Sequence, residues 1–165
     1  MEIVNFYDHS MLYDKAQKLF VEQRARIKQV VSEADIQHVG STAIPGTLTK
    51  GDLDIQVRVM QENFMIAVRA LSTLYLDNEG SIQTGTFRAF KDDSTDPPLG
   101  IQLTVKGSDF DFFYKFRDVL LINEEYRIKY DELKRSYEGK GMEVYREAKN
   151  EFFEWLMETP EFRSL

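Results

Sequence analysis

The sequence contains no cysteine, which excludes disulfide and thiolate chemistry and fits a reducing compartment. It has only two histidines, His9 and His38, and neither has a sequence neighbour that would complete a histidine metal site. No apolar run approaches the roughly 20 residues that cross a bilayer. The first residues, "MEIVNFYDHS", lack the basic segment and apolar core of a signal peptide. We therefore expect a cytoplasmic protein without a membrane partner.

The chain also lacks an excess of positive charge. It has 21 Lys and Arg against 28 Asp and Glu, and a net charge of −7. An acidic surface repels the phosphate backbone, so no nucleic-acid partner is expected, although a local basic pocket for one nucleotide is compatible with this charge. A length of 165 residues with 42% hydrophobic residues suits a single domain over residues 1–165. The sequence does not indicate the oligomeric state.

The order of helical and strand patterns predicts an α+β fold, in which helices pack on a β-sheet and the C-terminal third is helical. Helical spacing covers residues 10–31, 63–75, 108–121, 123–137 and 143–157, and strand patterns cover 36–39, 52–59, 86–90 and 100–106. Ser108 and Asn123 are the predicted N-caps of the third and fourth helices.

The alternation at 52–59 places two acids on one face of a strand. Asp52 and Asp54 would project together, about 6–7 Å apart, with Leu53 and Ile55 anchored behind them. Two carboxylates at this separation repel each other unless a cation lies between them. Mg²⁺, or Mn²⁺ in its place, suits such a pair, because phosphate oxygens and water complete its octahedron. Asp52 and Asp54 are therefore the candidate metal ligands and catalytic residues.

A turn precedes this pair. Gly40 has no side chain and would let the backbone approach a ligand closely, while Ser41 and Thr42 offer hydroxyl and N–H groups to phosphate oxygens. Beside a metal-binding pair, the turn predicts a site for a nucleoside triphosphate. Each motif alone is more often an ordinary turn or a solvated strand face, so the prediction depends on their combination.

The combination resembles known families. "VGS" followed after ten residues by "DLDI" resembles the signature of the DNA polymerase β-like nucleotidyltransferase superfamily. The longer string "HVGSTAIPGTLTKGDLDIQV" resembles the hallmark of the nucleotidyltransferase-like GrpB family, also termed UPF0157. "FRAFK", "FRDVLLINEEYRIKYDELK" and "YREAKNEFFEWL" agree with that family in content and order. The resemblance implies a small mixed β-sheet flanked by helices, with Gly40, Ser41, Asp52 and Asp54 at the site mouth, but no agreed reaction.

The superfamily typically takes a third carboxylate from a later strand, where it binds metal and accepts a proton. In the predicted strand 100–106 the open face carries Gln102 and Thr104, where GrpB relatives often have a His-apolar-His pattern. Glutamine cannot act as a general base. Two hypotheses follow: a Mg²⁺-dependent protein that transfers a nucleotidyl group to an unidentified small acceptor, or a catalytically inactive ligand-binding or regulatory module. A structural partner protein is a third hypothesis.

The remaining candidates are basic or aromatic residues with a plain structural alternative. Lys50 is a candidate phosphate contact or a solvated loop lysine. Arg88 would bind phosphate if it faced the cleft. The family resemblance favours the same role for Arg117, which would otherwise lock a helix against the sheet. Tyr130 and Lys134 share one helix face, and Tyr145 and Lys149 share another. With Gln102 and Thr104 these Tyr–Lys pairs form a candidate substrate wall, unless they serve packing.

Overall fold

The computed structural model describes residues 2–165, in which strands form a mixed sheet and a small separate ribbon. The strands are β1 (Tyr7–Asp8), β2 (Asp35–Val39), β3 (Leu48–Thr49), β4 (Leu53–Val59), β5 (Leu76–Asp77), β6 (Phe87–Asp92) and β7 (Leu99–Val105). The helices are α1 (His9–Val30), α2 (Phe64–Ser72), α3 (Phe113–Ile122), α4 (Glu124–Tyr137), α5 (Met142–Met157) and α6 (Pro160–Arg163). None of these helices has the length and apolar character that a membrane crossing requires.

The main sheet has the strand order β2-β4-β7-β6-β5. β4 and β7 run parallel, and the other neighbours run antiparallel. β1 and β3 form the separate antiparallel ribbon. The sheet is therefore mixed and flanked by helices, as the family resemblance implies.

One face of the sheet packs against α1 and α2. The four apolar residues of β4, Leu53, Ile55, Val57 and Val59, are all 0% exposed and belong to the main core with side chains from both helices. Burying each such side chain contributes about 1.5–3 kcal/mol, so a register shift by one residue would be very costly. This burial fixes the polar residues of β4 on the opposite face.

The opposite face meets the C-terminal helices, which have a core of their own. Val119, Leu120, Tyr130, Phe152 and Leu156 form this second cluster together with Ile44 and Phe162. α3 packs against β2 and against α4, and α4 packs against α5. A space remains between these helices and the polar face of the sheet. The candidate site lies in that space.

The predicted caps had opposite outcomes. Asn123 caps α4 as expected, since its Oδ1 accepts a hydrogen bond from the Tyr126 N–H at 3.0 Å. Ser108 caps nothing: α3 begins only at Phe113, and the Ser108 hydroxyl donates to the Val105 carbonyl at 2.7 Å. Gly107 has a φ of 80°, which turns the chain before a helix can start. The very short elements β1, β3, β5 and α6 are too brief to show periodicity in the sequence.

Candidate functional site

A cavity of about 540 Å³ lies between the polar face of the sheet and α3, α4 and α5. This volume falls within the range of about 300–1,000 Å³ that is usual for ligand sites. Eleven of the fourteen candidate residues line it: Gly40, Ser41, Lys50, Asp52, Asp54, Gln102, Arg117, Tyr130, Lys134, Tyr145 and Lys149. The structure therefore brings the turn, the acid pair and the predicted wall into one place, and it leaves Thr42, Arg88 and Thr104 outside the lining.

Asp54 is held between two glycines. On β4 it pairs with Val39 of β2 and with Gly100 of β7. A β-carbon added to Gly40 would collide with Asp54 Oδ2, and one added to Gly100 would lie 3.0 Å from Oδ1. Gly40 also has a φ of 75° and a ψ of −176°, a conformation essentially restricted to glycine. The two glycines thus make room for a carboxylate in a fixed position.

The surroundings of Asp54 disfavour a lone negative charge. Burial raises its pKa to about 6 and the charge of Asp52 adds to the rise, while Lys149 and Lys50 oppose it. Of the groups that shift this pKa, only the Gln102 amide acts through a hydrogen bond. A half-buried carboxylate with so little compensation is stabilised strongly by a cation.

Asp52 lies nearer the mouth of the cavity. Its side chain is 42% exposed, and its Oδ2 lies 3.6 Å from Lys50 Nζ. The pair therefore has one accessible carboxylate and one deeper carboxylate, which suits a cation that must also receive ligands from a substrate. Among residues 2–165, no group of three or more His, Cys, Asp or Glu side chains is placed to hold a metal.

An amide oxygen extends this donor set. The Oε1 of Gln102 is buried and receives no hydrogen bond within the described part of the chain. Gln102 lines the cavity together with both aspartates. Two carboxylates and an unpaired amide oxygen are hard oxygen donors of the kind that Mg²⁺ prefers, so the residues present fit such an ion.

Thr42 does not line the cavity, and its side chain is engaged inside the fold. It is 0% exposed, and its Oγ1 donates to the Asp52 carbonyl at 3.1 Å. His38 Nε2 lies 2.9 Å from the same hydroxyl, and His9 Nε2 lies 2.8 Å from the Thr42 carbonyl. Burial and the charge of Arg117 lower the pKa of His38 to about 4, so the neutral ring donates to Thr42. Thr42 therefore positions the backbone of Asp52.

We predict that Thr42→Val lowers the free energy of unfolding by about 1–3 kcal/mol, because a buried hydrogen-bond network loses its central hydroxyl. Thr42→Val should also weaken Mg²⁺ binding, because the Asp52 carbonyl loses the hydrogen bond from the Thr42 hydroxyl. Chemical denaturation and Mg²⁺ titration would measure the two effects. Thr42→Ser keeps the hydroxyl and should keep most of the Mg²⁺ response; equal losses in both variants would show that the hydrogen bond from the hydroxyl is not the cause.

Ser41, Arg117 and Lys134 line the cavity, but internal contacts occupy their polar groups. The Ser41 hydroxyl donates to Thr49 Oγ1 at 2.7 Å. Arg117 donates to the Gln37 amide oxygen at 2.8 Å and the His38 carbonyl at 3.1 Å, and it pairs with Asp118 at 2.9 Å. These contacts join α3 to β2, which favours the structural alternative for Arg117.

Lys134 and Tyr130 form a buried part of the wall. Lys134 is 1% exposed, donates from Nζ to the Leu48 carbonyl at 2.5 Å, and lies 3.7 Å from the centre of the Tyr130 ring. Burial lowers the pKa of Lys134 to about 7, although Asp131 opposes the shift. These contacts tie α4 to the loop that leads to Asp52.

Arg88 and Thr104 are placed differently from the prediction. β6 pairs Arg88 with Leu103, so Arg88 lies on the face that packs against α1 and α2 rather than on the face of Asp54. Thr104 is on the predicted face but is 0% exposed, and its hydroxyl accepts a hydrogen bond from Gln56 Nε2 at 3.0 Å. The start of α3 covers it, since the Tyr114 N–H donates to Gln56 Oε1 at 3.0 Å.

Phenylalanine residues without a predicted site role also line the cavity. The half-buried rings of Phe112, Phe113, Phe116 and Phe153 form an apolar wall. The ring centroids are 4.6 Å apart in Phe112–Phe113, 5.1 Å in Phe112–Phe116 and 4.4 Å in Phe116–Phe153. Lys149 of α5 lines the polar side and influences Asp54 electrostatically. The dense run "FDFFYKF" was a signal for the wall, but aromatic residues are more often core.

Comparison with known proteins decides the family. The sequence model of the GrpB protein family matches residues 11–159. The chain belongs to the GrpB family. A UPF0157 protein of Vibrio cholerae is 32% identical over 154 residues, which cover 93% of this chain and 82% of the relative. Another, of Halalkalibacterium halodurans, is 29% identical over 155 residues, covering 85% and 75%.

Solved structures agree with the nucleotidyltransferase-like fold. The conserved protein GrpB of Enterococcus faecalis superimposes with a TM-score of 0.60 at 19% identity, over 73% of this chain and 76% of that chain. The Cid1 poly(U) polymerase bound to MgGTP superimposes with a TM-score of 0.52 at 10% identity, over 74% of this chain and 41% of that enzyme. At these identities the likeness shows the fold alone. This GrpB family member thus has a nucleotidyltransferase-like fold.

Proposed function

We propose that this GrpB family member binds a nucleoside triphosphate with Mg²⁺ or Mn²⁺ and transfers a nucleotidyl group to a small acceptor. The observation that carries the proposal is the placement of Asp54, a half-buried carboxylate set between Gly40 and Gly100 beside Asp52. Burial disfavours the charged form of such a carboxylate, and a neighbouring divalent cation favours it. The Mg²⁺–nucleotide complexes of the Cid1 polymerase support the choice of ligand by analogy of fold.

The two sides of the cavity suit the two ends of a nucleotide. Asp52 and Asp54 would hold the cation, and the backbone at Gly40 and Ser41 would approach the triphosphate. The phenylalanine wall on the other side offers apolar ring faces to a planar base. When bound, Mg²⁺ offsets phosphate charge and aligns the α-phosphorus for in-line attack.

Transfer requires the acceptor hydroxyl to form a bond to the α-phosphorus while the bond to the bridging oxygen breaks and pyrophosphate leaves. The hydroxyl proton needs an acceptor, and Gln102 and Thr104 of β7 cannot serve. Glu154 of α5 is a third carboxylate among the described lining residues, but it lies on a helix rather than on the sheet. The absence of an acid from β7 supports the second candidate function, a module that binds nucleotide without turnover.

Lys149 provides a test of the phosphate side. We predict that Lys149→Met weakens binding of the Mg²⁺–nucleotide complex about 10- to 100-fold, because a charge-assisted contact contributes about 1.5–3 kcal/mol. Binding of Mg²⁺ alone should not weaken, since a neighbouring positive charge is removed. Isothermal titration of both ligands would measure these constants. Lys129→Met is the matched control, because Lys129 lies 4.2 Å from the Trp155 ring centre and outside the cavity lining.

Turnover separates the candidate functions. The protein would be incubated with Mg²⁺, each nucleoside triphosphate and pools of small hydroxyl compounds, and pyrophosphate release would be measured. Release that depends on an acceptor and on Asp54 would support nucleotidyl transfer. Binding without release would favour the inactive ligand-binding or regulatory module, and indifference to both nucleotide and metal would favour a structural partner protein.

A further inference from the structure

Gln102 has a buried polar atom that the fold does not use. Its Oε1 receives no hydrogen bond from any residue of the described chain. Buried oxygens without partners are rare and commonly mark a missing water, ion or functional role. The neighbouring polar residue on the same face, Gln56, has both ends of its amide engaged, with Tyr114, Thr104 and Asp111. The unpaired oxygen is therefore specific to Gln102 and not general to this face.

The Gln102 amide lies beside the Asp54 carboxylate. Parallel pairing of β4 and β7 puts Asp54 opposite Gly100 and Gln56 opposite Gln102, all on one face. The point where a β-carbon of Gly100 would stand is 3.0 Å from Asp54 Oδ1 and 3.4 Å from Gln102 Nε2. The two side chains thus flank a space that Gly100 leaves empty, and both line the cavity.

The amide presents its nitrogen to Asp54, and this contact lowers the pKa of the carboxyl group against the larger effect of burial. The terminal torsion of a glutamine is broad and roughly two-fold, so half a turn exchanges Nε2 and Oε1. With the oxygen turned towards Asp54, two oxygens would repel each other unless a cation lies between them. Amide oxygens are common ligands of hard divalent cations.

We propose that Gln102 is the third protein ligand of the divalent cation held by Asp52 and Asp54, and that it binds through Oε1. The inference deepens the proposed function and rests on its cation site. It gives the site two negative charges instead of the three of an all-acid set. Half a turn of the amide replaces the nitrogen that contacts Asp54 with the oxygen that binds the cation.

The first test is binding of Mn²⁺ without nucleotide, followed by the loss of the free-ion signal in electron paramagnetic resonance. Gln102→Met keeps the length of the side chain and removes both polar atoms, and we expect it to weaken Mn²⁺ binding about fivefold or more. Gln102→Glu adds a charged ligand and should tighten binding. Gln83→Met, at an exposed position remote from the cavity lining, should change nothing.

A rescue experiment separates a ligand from a residue that only positions Asp54. Asp54→Asn should abolish measurable Mn²⁺ binding, and Asp54→Asn/Gln102→Glu should restore it, because a carboxylate returns to the cation from position 102. If Gln102 acts only through Asp54, the double variant will bind no better than Asp54→Asn, and the proposal is overturned.

The outcomes also distinguish this inference from the proposed function. If Gln102→Met leaves the Mn²⁺ dissociation constant unchanged and Asp52→Asn/Asp54→Asn loses binding, Gln102 is not a ligand and the assignment of the two aspartates stands. If the Mn²⁺ affinities of the Gln102 variants follow the predicted order but no nucleotide binds, the three-ligand cation site is supported and the proposed nucleotide function is contradicted. No saturable Mn²⁺ binding to the wild type would overturn the cation site as a whole.

Discussion

Gly40→Ala is expected to abolish the stabilisation of the protein by Mg²⁺ in thermal unfolding. It should also lower the free energy of unfolding by about 2–4 kcal/mol. Two effects add. The backbone at Gly40 has a φ of 75° and a ψ of −176°, which alanine adopts only with strain. The new β-carbon would also collide with Asp54 Oδ2, so the carboxylate must leave the position in which it faces the cavity.

Gly46→Ala is the matched control for this prediction. Gly46 belongs to the same loop and has a φ of 81°, but a β-carbon added there meets nothing within 4 Å. It should show a loss of stability from the backbone, about 1–2 kcal/mol, and keep the Mg²⁺ response. Urea unfolding gives the stabilities, and thermal unfolding with and without Mg²⁺ gives the response. A full Mg²⁺ response in Gly40→Ala would show that the contact with Asp54 does not matter.

Asp54→Asn is expected to make the ligand-free protein more stable by about 1–3 kcal/mol at neutral pH, while it abolishes the Mg²⁺ response. The isosteric amide removes a charge that burial and Asp52 both disfavour. Asp52→Asn should change the stability much less, because Asp52 is 42% exposed and lies near Lys50. Denaturant unfolding of the three proteins, without metal, measures the difference.

The gain in Asp54→Asn should depend on pH in a definite direction. The pKa of Asp54 is raised from 3.8 to about 6, so the folded protein binds this proton more tightly than the unfolded chain. Wild-type stability attributable to Asp54 therefore rises as the pH falls from about 6 towards 3.8. The advantage of Asp54→Asn should be largest above pH 6 and vanish near pH 4, and a constant advantage would mean that charge is not its cause.

The positions of Asp52, Asp54 and the turn at Gly40 could be predicted because they follow from sequence patterns within one short segment. The alternation of β4 assigns each residue to a face, and burial of Leu53 and Ile55 then fixes where Asp54 points. The need for glycine at position 40 also follows from a short motif. The grouping of these residues around one cavity agrees with the sequence-based hypothesis.

The placements of Arg88 and Thr104 differed from expectation for two reasons. The pattern of β6 fits two assignments of its residues to the faces of the sheet, and a later segment covers the face of β7 that carries Thr104. Phe87 and Phe90 are both buried but lie on opposite faces of β6, so "FRAF" alone could not show that Arg88 faces α1 and α2. The open face predicted for Thr104 exists, but the turn and helix after β7 close over it. That covering depends on Gly107 and on the buried carboxylate of Asp111, which pairs with Arg58 at 2.7 Å.

Residues on distant helices were the hardest to place. A helical period identifies the face of α5 that holds Lys149 and Phe153, but the period is the same whether that face meets a core or a cavity. Only the packing of α5 against α4 and the second apolar cluster places Lys149 on the side of Asp54. Lys149 and Asp54 are far apart in the sequence, so no local sequence pattern could predict their interaction.

The most direct test of the central claim is thermal unfolding with a panel of nucleoside triphosphates, with and without Mg²⁺, on the wild type and Asp52→Asn/Asp54→Asn. A ligand at a hundredfold excess over its dissociation constant stabilises a folded protein by about 2.7 kcal/mol, so even moderate binding is measurable. We predict that at least one nucleotide stabilises the wild type only when Mg²⁺ is present, and that the double variant loses this effect. A protein that unfolds cooperatively and shows no shift with any nucleotide would contradict the account.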